Sequence, residues 1–161
     1  MSRRVIQRKY IAPDGTIYDS QDEHEYLEIL LTEKKATNIH RQVEFCVFPK
    51  RYKVVPKQLK TKVRYDKRVL ISEHNYTADF VFFEDGRLVI CDVKSKHTHK
   101  FREFRITVKG MITKILSHNK KRHDGEPYMV FREAIHIKKD KWKIIDYPPK
   151  GCAYYDEERK S

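Results

Sequence analysis

Asp79, Asp92 and Lys94 stand inside "YTADFVFFEDGRLVICDVK", residues 76–94, whose other residues are those of two buried strands. A free charge is expensive in such a run, so these three must be paired or put to use. Asp85-Gly86, between the Phe-rich and the Val/Ile-rich halves, predicts a type I′ hairpin turn, because both central residues of that turn need positive φ. With Glu84 opposite Arg87, Phe83 faces Leu88, Val81 faces Ile90 and Asp79 falls opposite Asp92. The two carboxylates then share one face with Cβ atoms about 5 Å apart. Lys94, two residues beyond Asp92, points the same way because side chains alternate along a strand. Like charges placed so repel unless something positive lies between them. A hard divalent cation would serve, since Mg²⁺ is held by one or two carboxylates plus water and phosphate. Lys94 alone would also serve, as an Asp-Asp-Lys salt cluster on a solvated face. Spacing by itself leaves both readings open.

The elements that must position these residues follow from pattern. Residues 1–17 read as a basic arm containing the turn "PDG" at Pro13 to Gly15. Ser20 and Glu23 form a capping box ahead of a helix to about Lys35, with Tyr26, Leu27, Ile29, Leu30 and Leu31 as its apolar content. Glu23 lies one turn before Leu27 and extends the apolar face, so its carboxylate looks inward as well as closing the cap. "RQVEFCVF", residues 41–48, alternates as a strand should, and the Lys-rich 49–68 region reads as a long exposed loop. From Lys100 to Ser117, Phe101, Phe104, Val108, Met111, Ile112 and Ile115 recur at helical spacing, with Arg102, Arg105 and Lys109 as a basic stripe. Gly110 weakens that helix. "PYMVFREAIHI" and "KWKII" predict a last hairpin, and residues 148–161 a polar tail.

At 161 residues one domain is expected, of α/β (α+β) class, with a mixed central sheet flanked by helices. The 35 Lys and Arg against 23 Asp and Glu give a net charge of +12, which points to a polyanionic partner, nucleic acid before anionic membrane. The excess is concentrated: nine basic residues against one acid from Pro49 to Arg68, and ten against one from Lys94 to His123. No run of about eighteen apolar residues occurs and no signal-peptide pattern opens the chain, so a soluble, cytoplasmic protein without membrane partners is expected. Cys46, Cys91 and Cys152 are too scattered for a disulfide framework or a CxxC zinc site. His97 and His99 flank Thr98, but two histidines with no cysteine nearby make a weak zinc set.

Asp79, twelve intervening residues, then Asp92-Val93-Lys94, with Glu23 on the preceding helix, resembles the PD-(D/E)XK nuclease superfamily. More closely, "YDSQDEHEYLEIL", "RQVEF", "YTADFVFFEDGRLVICDVKS" and "THKFREF" resemble a family of small phage-encoded endonucleases within it, over about Tyr18 to Ile115. The resemblance implies a restriction-endonuclease-like core and Mg²⁺-dependent hydrolysis of DNA phosphodiesters, with Mn²⁺ as a substitute. It implies Glu23, Asp79, Asp92 and the carbonyl of Val93 as metal ligands, and Lys94 as the group that positions or activates water and stabilises charge on the phosphate. A role in DNA recombination, replication or processing, branched DNA included, a homodimer among the allowed assemblies, and a bacterial host cell complete the implication. Ala78 stands where the proline of the superfamily name would be, and Cys91 where relatives often carry a further acid; by alternation Cys91 faces away from Asp92. Gln42, on the "RQ" strand, would orient water or phosphate, or else be an ordinary polar strand residue. Lys96, Thr98, Arg102, Arg105 and Lys109 suit contacts to the DNA backbone. The alternative to an enzyme is a catalytically inactive nucleic-acid-binding module with a nuclease-like fold.

Overall fold

The computed structural model describes residues 9–152. Residues 1–8 and 153–161, which hold much of the expected basic arm and polar tail, lie outside the described residues. The chain runs through β1 (Tyr10–Ile11), β2 (Ile17–Tyr18), α1 (Gln21–Glu33), β3 (Thr37–Phe48), β4 (Arg51–Gln58) and β5 (Val63–Ile71). It continues through β6 (His74–Glu84), β7 (Arg87–Ser95), a 3₁₀ turn (Thr98–Lys100), α2 (Arg102–Lys121), β8 (Tyr128–Lys138) and β9 (Lys141–Tyr147). The architecture is α+β: one five-stranded mixed sheet in the order β3-β6-β7-β8-β9, with two helices. Among the described residues no helix is long and apolar enough to cross a membrane.

All neighbours in the sheet are antiparallel except β7 and β8, which are parallel. Parallel neighbours cannot be joined by a tight turn, and α2 supplies the crossover. It lays Val108, Met111 and Ile115 on Val47, Ala78, Val81, Ile90 and Phe131. On the opposite face α1 lays Tyr26 and Leu30 on Phe80, Phe82, Val89, Cys91, Val93 and Ala134. The alternation of β7 decides the split: Leu88 and Ile90 go to the α2 side, Val89, Cys91 and Val93 to the α1 side. Cys91 is accordingly buried away from the α2 side, as expected.

The β6–β7 hairpin has the expected register, Glu84↔Arg87, Phe83↔Leu88 and Val81↔Ile90, around Asp85 and Gly86 at φ 51° and 71°. One expectation is corrected by this ladder. It ends at Phe80↔Cys91, so Asp79 and Asp92 are not a paired rung. Two carboxylates held in register would repel at close range, and the strands part there instead.

A second correction concerns residues 49–68, which are no loop. β4 and β5 pair along their length as an antiparallel ribbon, from Arg51↔Ile71 to Gln58↔Val63. Valines and tyrosines supply β propensity, while exposure on both faces removes the burial alternation that would have revealed the strands.

Gly110 is explained by packing. A Cβ at this position would overlap Val47 Cγ1 and lie 3.1 Å from the Phe48 ring, because α2 crosses β3 there. Val47 is β-branched and buried, so it has little room to give. Gly110→Ala should therefore destabilise the fold by about 1–3 kcal/mol in urea denaturation, against the ~1 kcal/mol that alanine gains as a helix former. A stabilised variant would show that Val47 yields freely to the added methyl.

Candidate active site

The fork where β6 and β7 part is a pocket of about 410 Å³. Asp79 comes from β6, Asp92 and Lys94 from β7, and Glu23 from the first turn of α1; all four line it. The α1 terminus is fixed there by Ser20, whose Oγ accepts from Glu23 N–H at 3.3 Å. The Glu23 carboxylate is itself buried, and its Oε2 has no hydrogen-bond partner.

Three of the four side chains, those of Asp79, Asp92 and Lys94, are held by their neighbours. Asp79 Oδ2 accepts from the Val93 N–H at 2.7 Å, so the carboxylate occupies the gap between the parted strands. Tyr76, buried under α2, donates its hydroxyl to Asp92 Oδ1 at 2.8 Å. Lys94 Nζ lies 2.7 Å from Asp92 Oδ2 and 4.9 Å over the Phe104 ring. Val93, expected to offer its carbonyl to a metal, is seen here serving Asp79 through its N–H.

The strand pattern itself changes at this point. Ala78 packs on the α2 side and Phe80 on the α1 side, although residues two apart in a regular strand share a face. Gln42, between Arg41↔Phe80 and Val43↔Ala78, has φ 53°. A non-glycine residue at positive φ inside a strand is uncommon. The slip in alternation at Gln42 and Asp79 turns both toward the pocket, which each of them lines.

Burial, and after it the Asp92 charge, pushes the Asp79 carboxyl well above the usual carboxylate range. Burial also raises Asp92, with Lys94 opposing. Glu23 is raised by burial and by Asp19. For Lys94, burial works against the charge, but Asp92 and Asp79 outweigh it and leave the ammonium above its ordinary range. The neighbouring carboxylates thus favour the charged form of Lys94.

A raised Asp79 fixes a sign. Its folded-state pKa exceeds the unfolded value, so the stability it contributes is present below the unfolded pKa and lost as pH rises through the folded one. In EDTA, Asp79→Asn should melt higher than the parent at pH 8, and the gap should close toward about pH 4, near the ordinary aspartate value. A gap that widens on acidification would contradict this placement of the charge.

The remaining expected residues separate into two groups. Gln42 and Thr98 line the pocket, and Thr98 Oγ1 takes the Ser95 N–H at 3.0 Å, closing the turn after β7. Lys96, Arg102 and Lys109 are exposed outside it. Arg105 lies outside the pocket and half-buried, its Nη1 paired with the fully buried Glu133 of β8. Sequence reasoning missed Glu133 and the Tyr76 hydroxyl. Glu133, beside Asp92 in the β7–β8 ladder, carried the same signal as Asp92, an acid inside an apolar run.

Among the described residues, the three potential ligands whose atoms all approach within 4.8 Å are Asp22, Glu25 and His136, not Glu23, Asp79 and Asp92. His136 Nδ1 is 2.8 Å from Asp22 Oδ1, and its ring stacks on Trp142 with centroids 4.6 Å apart. That group reads as a tie between α1 and β8.

Fold and pocket thus define a mixed-sheet α+β protein with a buried acid-and-lysine cluster at a strand fork. The chain belongs to the family described as "Protein of unknown function (DUF1064)", which matches residues 3–144. No curated protein and no solved structure matches it significantly.

Proposed function

We propose that this protein is a Mg²⁺-dependent DNA endonuclease with a restriction-endonuclease-like core, its site built from Glu23, Asp79, Asp92 and Lys94. One observation carries the reading: an acidic pocket in a basic protein. Five carboxylates line the pocket, those of Asp19, Asp22, Glu23, Asp79 and Asp92, and Lys94 is its single lysine or arginine among the described residues. The chain as a whole carries +12. A polyanion drawn to that surface meets a negative pocket, and a cation is what reconciles the two.

The donor set fits a hard cation. It is all oxygen, it has more negative charge than Lys94 offsets, and Glu23 Oε2 is buried without a partner. Glu23, Asp79 and Asp92 would hold Mg²⁺, with Mn²⁺ as a substitute. When bound, it would lower the pKa of a water and offset charge on the phosphate. Tyr76 and the Val93 N–H keep the two aspartates aimed. Lys94 would offset the negative charge that builds on the phosphate oxygens. Hydrolysis adds water across one P–O bond: the water oxygen joins phosphorus, and the departing ester oxygen takes up a proton.

The test is cleavage of labelled duplex, single-stranded, flapped and four-way-junction DNA in Mg²⁺, in Mn²⁺ and in EDTA. Cutting that needs the metal is the expected result. DNA left intact in every arm, with binding retained, would replace this reading by a binding module of the same fold.

A further inference from the structure

The β4–β5 ribbon has two unlike faces. Cross-strand partners share a face, so Lys53, Lys57, Arg64 and Arg68 stand together with Val55 and Asp66 on one of them. The other carries Tyr52, Val54, Pro56, Val63, Tyr65 and Val69, together with Gln58 and one cation, Lys67. No core covers that second face: Val54 is 65 % exposed and Tyr65 69 %. Between Arg51 and Ile71 there are eight Lys or Arg and one acid, Asp66. That acid is already neutralised by Arg64 Nε at 2.7 Å.

The ribbon also has a definite root. Phe48 pairs with His74, and two-residue links join that rung to Arg51 and Ile71. His74, Asn75, Tyr76 and Thr77 line the pocket, and His74 Nε2 is 3.0 Å from Thr107 Oγ1 of α2. The root of the ribbon thus adjoins the fork that holds Asp79 and Asp92.

The geometry points to a preformed arm that binds duplex DNA by entering its major groove, with the basic face toward the phosphates. This rests on the nucleic-acid reading of the pocket and names its substrate class. The major groove of B-DNA, about 12 Å wide, admits a two-stranded β-ribbon, whereas that of A-form RNA is too deep and narrow for side chains to read. Eight strand residues span roughly 26 Å, most of one turn of B-DNA. Single strands are usually gripped by free aromatic faces, but one of the two tyrosines, Tyr52, is capped by Lys67 Nζ at 4.0 Å. A second copy of this chain would bring two strongly basic ribbons together, and charge opposes it.

The variant is Lys53→Gln, Lys57→Gln and Arg68→Gln together, which leaves the Arg64–Asp66 pair intact and touches no buried residue. Fluorescence anisotropy in EDTA, over a salt series, reads its binding to a labelled duplex and to a single strand of equal length. Duplex affinity should fall at least about tenfold and the log K against log salt slope should flatten by roughly 2.7, at ~0.9 for each phosphate no longer neutralised. Single-strand binding should change much less. Unchanged duplex binding, or equal losses on both DNAs, overturns the arm. So does Tyr65→Ser turning a dimer into a monomer in sedimentation while duplex binding stays. Circular dichroism and an unchanged Mg²⁺-dependent rise in melting temperature show that the triple variant retains fold and pocket. If the parent cuts no DNA yet the variant loses duplex binding, the arm stands and the nuclease reading falls.

Discussion

Asp92→Ala should lower Mg²⁺-dependent DNA cleavage by roughly 10³-fold or more, since a metal's stabilisation of transition-state charge is worth several kcal/mol and each 1.36 kcal/mol is tenfold in rate. Asp92 has three attachments in the pocket. It takes the Tyr76 hydroxyl at 2.8 Å, it holds Lys94 Nζ at 2.7 Å, and it belongs to the proposed carboxylate set. Alanine removes a proposed ligand and frees the lysine at once. Asp92→Asn separates these effects, because its amide oxygen still accepts from Tyr76 while the charge is gone. The asparagine variant should fold like the parent and be comparably inactive, and Mg²⁺ should raise the melting temperature of the parent more than that of either variant. Initial rates on the best DNA of the panel, with melting curves at several Mg²⁺ concentrations, give both readouts. An asparagine variant that cuts within tenfold of the parent would return Asp79, Asp92 and Lys94 to a salt cluster.

The second large effect is on stability and comes from the other face of the sheet. Arg132 of β8 is almost fully buried, with its side chain 8 % exposed. Its Nε and Nη2 grip Asp146 of β9 at 2.7 and 3.0 Å, and its Nη1 and Nη2 grip Glu84 of β6. This double fork ties three strands together, and Arg87 of β7 stands 3.8 Å from Asp146 and 3.9 Å from Glu84 as the nearest other cation. Removing one partner of a buried ion pair strands the other charges, at a cost of about 3–5 kcal/mol. Arg132→Ala should lose that much in chemical denaturation and about 10 °C or more in melting temperature for a chain of this size. Arg132→Lys keeps the charge without the planar fork and should fall between. Arg132→Met combined with Glu84→Gln and Asp146→Asn should recover part of the loss, since no buried carboxylate is then left unpaired. A cost below about 1 kcal/mol for Arg132→Ala would mean that Arg87 takes over both carboxylates.

The sequence speaks plainly where one local rule decides. Asp85-Gly86 fixed the hairpin register as far as Phe80↔Cys91, because a two-residue turn with positive φ has few solutions, and so brought Asp79 and Asp92 to the end of one ladder. Ser20 marked the start of α1, and with it the place of Glu23. Long-range relations were not legible in this way. The parallel pairing of β7 with β8 depends on α2 as a crossover, and nothing in either strand announces its partner. Arg105 looked like one more surface cation until β8 brought Glu133 beneath it. Residues 51–71 hid their strands for another reason: a ribbon without a core has no buried side, so its period is set by chemistry, basic against apolar, and not by burial.

The end of the β6–β7 ladder makes the hairpin a ruler. From the turn at Asp85-Gly86, four further rungs beyond Glu84↔Arg87 lead to Phe80↔Cys91, and the strands open at the next position. The site is thus located by a count of residues from the turn. Apolar exchanges along Phe80–Phe83 and Leu88–Cys91 leave that count alone and cost packing only. Adding or deleting one residue on one arm of the hairpin shifts Asp79 against Asp92 by a full step and swaps the faces of everything beyond it. Selection on this pocket therefore bears on length before it bears on composition, and the hairpin can drift in its apolar side chains while its span stays the same.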